Sequence, residues 1–292
     1  MFEQESTGVT CFADYELSNP PKITSETHVR FVIVSDTHST QPHVPDGDVL
    51  LHCGDLTDLG TDDAIQKQIE WIKSLPHPIK IIIAGNHDFA ACNVKGWYES
   101  RGVELHSMFN KPISDTERVK KFLQSEPPHF VYLENQSFEF FVNRPGVSQR
   151  KWKVFGSPWT PEFENWAWNY GRGEMAKEVL SGIPSDIDIL LTHGPPHAIG
   201  GLDVIHDGRQ VGCEELTRKL REGEITPAIH AFGHIHEARG VHTESFDRDG
   251  RNDTSTLFVN AALVEYDQEA WENSRIFVYK VINKPVIVDV EV

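Results

Sequence analysis

Five short polar clusters in this chain contain residue types that bind divalent metal ions. They are Asp36-Thr37-His38, Gly54-Asp55, Gly85-Asn86-His87-Asp88, His193 and Gly233-His234-Ile235-His236. Their carboxylate, imidazole and carboxamide groups suit transition metals of borderline hardness. The candidate ligands are Asp36, His38, Asp55, Asn86, His193, His234 and His236. Because these are too many for one ion, they indicate a two-metal site.

Each cluster follows a run of aliphatic and β-branched residues, which predicts a strand. The runs begin at Phe31, Val49, Ile79, Ile187 and Ile229. Open α/β sheets place their ligand sites at the C-terminal ends of strands, so we expect the clusters to lie in such loops. Gly54, Gly85 and Gly233 would let the backbone turn tightly and approach the ions without a Cβ atom in the way.

The remaining pattern predicts the elements that position these loops. Strands are predicted over residues 29–36, 48–53, 79–85, 187–192, 228–233, 241–246, 256–264, 275–282 and 286–290. A helix is predicted over 61–75, where Ile65, Ile69 and Ile72 recur at helical spacing. Two apolar runs around residues 143–146 predict antiparallel strands. Early β-α-β units followed by late hairpins predict an α/β fold, a four-layer α/β/β/α sandwich of two sheets.

Composition limits the class of partner and the location of the protein. The 292 residues include 27 Lys and Arg against 44 Asp and Glu, a net charge of −17. This balance provides no basic field for long nucleic acid. No apolar run approaches the ~20 residues of a membrane span, and no secretory signal is visible, so we expect no membrane partner. The four scattered cysteines are typical of reduced thiols and predict a cytoplasmic protein.

The order of the clusters resembles the calcineurin-like metallophosphoesterase superfamily, whose pattern is D-x-H, G-D, G-N-H-D/E, a downstream His and G-H-x-H. The resemblance is closest to the metallophosphoesterase-domain-containing proteins related to class III cyclic-nucleotide phosphodiesterases. It is carried by residues 35–39, 156–159, 192–196, 211–213 and 233–237. It runs from about Arg30 to the C-terminus and implies a four-layer metallophosphoesterase sandwich with two mixed sheets. We therefore predict an irregular extension over residues 1–28 and a single domain over 29–292.

The resemblance also implies a role for each candidate ligand. The first metal would be held by Asp36, His38 and His236, and the second by Asn86, His193 and His234. Asp55 would bridge the two ions, because a carboxylate can give one oxygen to each. His87 would be the catalytic residue beside the substrate phosphate, with Asn86 also binding substrate. The ions would be divalent transition metals, with Mn²⁺ as the first expectation and Fe, Zn²⁺ or Co²⁺ as alternatives.

These roles predict a dinuclear metal-dependent phosphoesterase that hydrolyses small phosphodiesters, with cyclic nucleotides as candidate substrates. A metal-bridging hydroxide would attack phosphorus, since bound metal lowers the pKa of water to about 7. One alternative is a phosphomonoesterase or protein phosphatase with the same metals. Another is a catalytically weak metal-binding scaffold protein. Edge strands in the late β-rich half leave a homo-oligomer open.

Four further features have both a functional and a structural interpretation. Arg172 could bind a substrate phosphate, or it could form a surface ion pair. An aromatic group could stack on a nucleobase or fill the core, and its members are Trp159, Phe163, Trp166, Trp168 and Tyr170. Asp88 is expected to cap a following helix rather than to bind a metal. Asn260, a polar residue in an apolar strand, is expected to brace a metal-site loop by hydrogen bonding.

Overall fold

Strands and helices alternate through most of the computed structural model, which describes residues 2–6, 8–248, 251–274 and 277–292. The strands are β1 Phe2–Ser6, β2 Val9–Asp14, β3 His28–Val34, β4 Val49–Cys53, β5 Ile79–Ile83, β6 Val131–Tyr132, β7 Gln136–Phe141, β8 Lys151–Ser157, β9 Thr160–Pro161, β10 Asn169–Tyr170, β11 Ile189–Thr192, β12 Ile229–Phe232, β13 Gly240–Arg248, β14 Arg251–Asn260, β15 Val264–Tyr266, β16 Tyr279–Val281 and β17 Val286–Glu291. The helices are α1 Asp62–Ser74, α2 Val103–Met108, α3 Thr116–Phe122, α4 Glu174–Leu180, α5 Glu214–Glu222 and α6 Gln268–Ser274. Among the described residues, no helix has the length and apolar character needed to cross a membrane.

Two mixed sheets form the centre of the fold. The first has the strand order β1-β2-β17-β3-β4-β5-β6, and the second has the order β13-β14-β12-β11-β8-β7. Strands β3 to β6 are parallel, and β17 enters between β2 and β3 in the antiparallel sense. In the second sheet β8, β11, β12 and β14 are parallel, with antiparallel edges β7 and β13. The predicted α/β class is confirmed.

The side chains of each central strand alternate between two apolar layers. Phe31 of β3 and Leu191 of β11 lie in one buried cluster formed by both sheets. Val32, the neighbour of Phe31, packs in a second cluster with the apolar face of α1. Leu190, the neighbour of Leu191, packs in a third with α4 and α5. Helices therefore cover the outer face of each sheet, which gives the expected four layers.

The N-terminal segment differs from the irregular extension predicted over residues 1–28. It contains β1 and β2, and β2 pairs with β17 along Val9 to Phe12. The physical reason is that β17 would otherwise expose an unpaired edge. The sequence around β2 does not reveal this pairing, because β17 lies more than 270 residues later in the chain. The boundary between an extension and a domain stays a prediction.

Two predicted late strands also have different bounds in the structure, β14 Arg251–Asn260 against 256–264 and β16 Tyr279–Val281 against 275–282. The run over 256–264 divides after Asn260, whose side-chain oxygen accepts a hydrogen bond from the Ala262 N–H at 3.2 Å and turns the chain. The run over 275–282 contains only the short β16, and residues 275 and 276 lie outside the described residues. Between them the chain forms the short helix α6, for which the sequence analysis predicted neither a strand nor a helix.

His230 is a titratable group in the middle of the second sheet. Its Nε2 lies 2.9 Å from the hydroxyl of Thr192, which in turn donates to the Gly194 carbonyl at 2.7 Å. Because the Thr192 hydroxyl uses its proton in the bond to Gly194, it can only accept from His230, so the His230 proton lies on Nε2. Nδ1 is then unprotonated, and it is buried without a hydrogen-bond partner. Burial lowers the pKa of His230 to about 3 from the ordinary value of 6.5.

Replacing His230 by Leu should make folding less sensitive to acid. His230 becomes protonated below about pH 6.5 in the unfolded chain but only near pH 3 in the folded chain. Between these pH values the unfolded chain binds more protons, so the free energy of unfolding falls as the pH drops. Between pH 7.5 and 5.0 the parent should lose about 2 kcal/mol more unfolding free energy than His230→Leu. Urea denaturation at both pH values measures this. Equal losses would contradict the buried neutral imidazole.

Candidate metal centre

All five predicted clusters lie at the C-terminal ends of parallel strands. Asp36 and His38 lie in the loop after β3, and Asp55 lies in the loop after β4. Asn86 and His87 lie in the loop after β5. The loops after β11 and β12 carry His193, and His234 with His236. Because the apolar layer packs the two sheets face to face, loops from both sheets meet at one edge. This is the arrangement that the strand pattern predicted.

Asp36, His38 and His236 form one group of possible ligand atoms. His38 Nε2 lies 3.2 Å from His236 Nε2, and His236 Nε2 lies 3.2 Å from Asp36 Oδ1. One nitrogen or oxygen from each residue lies within 4.8 Å of the others. Two imidazole nitrogens and a carboxylate oxygen converging on a common point are a ligand set of the kind that binds divalent transition metals.

A second group surrounds His193 and shows why a cation fits. His193 Nδ1 lies 2.9 Å from the Cys53 carbonyl, to which it donates, so neutral His193 has an unprotonated Nε2. That nitrogen lies 2.8 Å from Asn86 Oδ1 and 3.3 Å from Asp55 Oδ2. His234 joins Asp55 and His193 within the same 4.8 Å limit. Three facing acceptors repel one another unless a proton or a cation lies between them.

Asp55 lies between the two groups. Its Oδ2 is 3.3 Å from His193 Nε2 on one side and 3.6 Å from His38 Nε2 on the other. His87 Nε2 also approaches it, at 3.9 Å. A carboxylate in this position can give oxygens to two ions. The geometry therefore accommodates the bridging role that the family resemblance implied for Asp55, and the individual ligand roles remain predictions.

The charges of the buried groups also favour cations. Burial acts to raise the pKa of Asp55, but the charges of His193 and His87 outweigh it and hold that pKa well below its usual range. Burial acts to lower the pKa of His193, but the charges of Asp55 and Asp36 raise it to about 9. Burial lowers the pKa of His234 to about 3, so that ring is neutral and keeps a lone pair. The carboxylates thus demand a positive charge, which bound metal would supply.

The ligand loops are strained and tightly packed. Asp36, His38, Asp55 and His234 have positive φ angles of 54°, 40°, 50° and 68°. Each such residue costs about 1–3 kcal/mol and persists only where its surroundings hold it in place. A Cβ atom on Gly85 would lie 2.3 Å from Asp55 Oδ1, and one on Gly233 would lie 1.9 Å from Asp36 Oδ2. Glycine is therefore required where the backbone passes these carboxylates.

Residues behind the ligands fix the loops by hydrogen bonds. The prediction that Asp88 caps the next helix is wrong, because its side chain makes no capping bond to the short helical turn that follows. The carboxylate instead accepts from the N–H groups of Leu56, Thr57 and Gly85 at 2.9–3.1 Å. It thereby joins the Asp55 loop to the Asn86 loop. The Thr57 hydroxyl also donates to it at 2.8 Å, so four donors stabilise this buried carboxylate.

Asn260 and His52 have similar bracing roles. Asn260 Nδ2 donates to the Ile235 carbonyl at 2.8 Å, between the candidate ligands His234 and His236, so the predicted brace is confirmed. His52 accepts from the Gly54 N–H at 3.3 Å and lies 3.0 Å from the Thr37 hydroxyl. It links the loops after β3 and β4. Sequence reasoning had assigned His52 no such role, because its partners depend on the sheet register.

The other candidate binding residues separate into two groups. Arg172 does not line the cavity beside the metal centre, and its guanidinium donates to Glu214 and to the Gly212 and Val211 carbonyls at 2.5–2.7 Å. The geometry therefore corrects its substrate-binding assignment in favour of the surface ion pair. Phe163 and Trp166 of the predicted aromatic group do line the cavity. Trp168, Tyr170 and Trp159 instead pack in the apolar clusters.

Comparisons with known proteins agree with this geometry. A family model for calcineurin-like phosphoesterase matches residues 29–238, which contain all seven candidate ligands. Metallophosphoesterase domain-containing protein 1 of Homo sapiens is 35% identical over 271 residues, 90% of this chain and 71% of that protein. A UPF0046 protein of Caenorhabditis elegans is 32% identical over 247 residues, 82% of this chain and 77% of that protein. A protein of Emericella nidulans named probable rhamnogalacturonate lyase C is 40% identical over 226 residues, 77% of this chain. The chain spans only 19% of the length of that protein.

Asp55→Asn should reduce the metal content of the protein. The amide keeps the size of the side chain but loses its charge and one acceptor oxygen, so it cannot serve two cations. We expect about two ions per metal-loaded parent chain and one or fewer in the variant, measured by elemental analysis after dialysis.

Asp58→Asn provides the matched control. Asp58 lies in the same loop, but its carboxylate accepts from the Ser39 hydroxyl at 2.8 Å and lies in none of the candidate ligand groups. Its metal content should equal that of the parent. A full metal complement in Asp55→Asn would contradict the bridging assignment.

Proposed function

Since the chain belongs to the calcineurin-like phosphoesterase family, we propose that it is a dinuclear metal-dependent phosphodiesterase acting on small phosphodiesters. The family implies a phosphoester hydrolase with a dinuclear divalent-metal site. The observation that carries the proposal is the position of Asp55, 3.3 Å from His193 and 3.6 Å from His38. Mn²⁺ is the first metal that we propose, and the cytoplasm is the proposed location.

Two ions held by these residues would supply a hydroxide nucleophile at neutral pH and stabilise negative charge on the phosphoryl oxygens. The contribution of the chain itself is best defined at His87. Its Nδ1 donates to the Asp58 carbonyl at 2.7 Å, which leaves Nε2 facing the site. Nε2 is therefore the ring atom that can exchange a proton with a leaving oxygen. Burial lowers the pKa of His87, although the charge of Asp55 and the Asp58 carbonyl oppose it. The neutral ring, with its proton on Nδ1, can only accept a proton at Nε2, so the imidazolium form is the one that would protonate the leaving oxygen.

A diester is favoured over a monoester because the cavity offers little positive charge beyond the metals. Arg101 is the one Lys or Arg among the described residues that line it. Its guanidinium already donates to Glu104 at 2.9 Å and to the carbonyls of Glu164 and Asn165 at 3.2 and 3.3 Å. A monoester dianion would carry a second negative charge without a further cation to meet it. A diester carries only one.

The Mn²⁺-loaded protein should hydrolyse bis-p-nitrophenyl phosphate faster than p-nitrophenyl phosphate. 2′,3′- and 3′,5′-cyclic AMP test the cyclic-nucleotide candidates under the same conditions. Release of p-nitrophenolate and chromatography of the nucleotides measure the rates. Greater turnover of the monoester would favour the phosphatase alternative. Bound metal without turnover of any of these compounds would favour the scaffold protein.

His87→Asn should separate catalysis from metal binding. Loss of proton transfer should lower kcat by about 10²–10⁴-fold. The metal content should stay at the parent value, because the role proposed for His87 is beside the ions. The matched control is His129→Asn, since His129 is exposed and lies beside Pro78, before the N-terminal end of β5. Parent-like kcat in His87→Asn would contradict its catalytic role.

A further inference from the structure

A cavity of about 810 Å³ opens directly beside the candidate metal centre. Its floor contains Asp55, Asn86, His87, His234 and His236. One side, which we call the aromatic wall, consists of Trp166, Tyr266, Trp271, Phe277 and Tyr279. The volume lies in the range of sites that enclose a drug-sized molecule, so it holds more than a phosphate with a small alkyl group.

The aromatic wall contacts the catalytic floor directly. The His87 ring lies edge-on to Trp166, with centroids 4.3 Å apart, and its centroid is 5.9 Å from that of Phe277. Tyr279 stacks on His38 at 3.9 Å, with an angle of 11° between the rings. An ester group on a phosphate held beside His87 therefore has aromatic rings within reach.

Apolar surface continues from the wall to the cavity mouth. Phe277 packs 4.8 Å from Trp271 and 5.2 Å from Phe109, measured between ring centroids. Met108 and Phe163 also line the cavity and are 63% and 58% exposed. Large exposed apolar side chains beside a concave site mark a surface that an apolar ligand covers.

The charges along the same cavity disfavour a second anionic group. Glu164 and Glu237 line it, whereas the guanidinium of Arg101 is already paired. A carboxylate or a further phosphate on the substrate would therefore face like charge without a free cation among the described lining residues. An uncharged ester group is not repelled by these carboxylates and needs no cation as a partner.

We propose that the aromatic wall selects phosphodiesters whose second ester group, the one that remains on phosphorus, is uncharged and aromatic or similarly large and apolar. The inference deepens the proposed phosphodiesterase and rests on it. Phe277 is the central specificity-determining residue, since its ring connects His87 to Trp271 and Phe109. The metal centre accepts the phosphate, and the wall distinguishes one diester from another.

Binding tests the proposal without requiring turnover. Diphenyl phosphate and dimethyl phosphate carry the same single charge and differ in their ester groups. Calorimetric titration of the metal-loaded protein should give at least about 10-fold tighter binding of diphenyl phosphate, because the rings bury apolar area against the wall. Equal affinities would overturn the inference.

Kinetics with one leaving group test selectivity. The substrates are the p-nitrophenyl phosphodiesters whose second group is methyl, phenyl or 4-carboxyphenyl. The phenyl ester should exceed the methyl ester by about 10-fold or more in kcat/KM, and the carboxyphenyl ester should fall below the phenyl ester. Equal kcat/KM values for all three would overturn the inference and leave the phosphodiesterase standing. If none is hydrolysed, the proposed function fails, and the binding titration still decides whether the wall recognises aryl groups.

Two variants locate the effect. Phe277→Ala should remove most of the preference for phenyl over methyl, and Phe163→Ala should reduce it. Phe163 is exposed, so its variant remains informative if Phe277→Ala fails to fold. The matched control is Phe141→Ala, a 46% exposed ring on β7 that does not line the cavity. Its preference should equal that of the parent, and an unchanged preference in both cavity variants would overturn the assignment of the wall.

Discussion

The crowding of acceptor atoms around Asp55 is the constraint on which the rest of the structure depends. His193 Nε2 lies 2.8 Å from Asn86 Oδ1 and 3.3 Å from Asp55 Oδ2, distances at which uncompensated acceptors repel one another. A proton on His193, or metal ions held between these atoms, would turn this repulsion into attraction. The arrangement uses loops from both sheets, so it exists only while the apolar layer that contains Phe31 and Leu191 holds the sheets in register. The core therefore stabilises the fold and also sets the distances between the candidate ligands.

The polar residues behind the ligands explain how a strained arrangement persists. Asp55 has a left-handed backbone, and the next two N–H groups, of Leu56 and Thr57, donate to the buried carboxylate of Asp88. His234 has the same kind of backbone, and Asn260 holds the carbonyl of the residue that follows it. In both loops, hydrogen bonds from one element fix the backbone of another. Such supporting residues orient metal ligands and limit their motion.

The sequence predicted the features whose signals are local. Strands β3, β4, β5, β11 and β12 follow from short aliphatic runs, and the polar clusters follow from their positions immediately after those runs. The errors concern residues whose partners are distant in sequence. Asp88 has the residue type of a cap but bonds a loop 31 or more residues earlier, and β2 pairs with a strand at the opposite end of the chain. Arg172 has a side chain that can bind a phosphate, but in the fold it donates a hydrogen bond to the carboxylate of Glu214 instead. Only the tertiary arrangement decides such cases.

The two halves of the cavity come from different parts of the chain, and this limits what family membership can explain. The family match over residues 29–238 contains the seven candidate ligands and His87, to which we assign the reaction chemistry. Four rings of the aromatic wall, those of Tyr266, Trp271, Phe277 and Tyr279, lie beyond that match. The sequence predicted a strand over 275–282, which contains Phe277 and Tyr279, but it gave no sign that these rings lie beside the metal centre. Because an apolar surface discriminates among ester groups while metals respond mainly to charge, the selectivity that we propose depends largely on the segment that the family match leaves out.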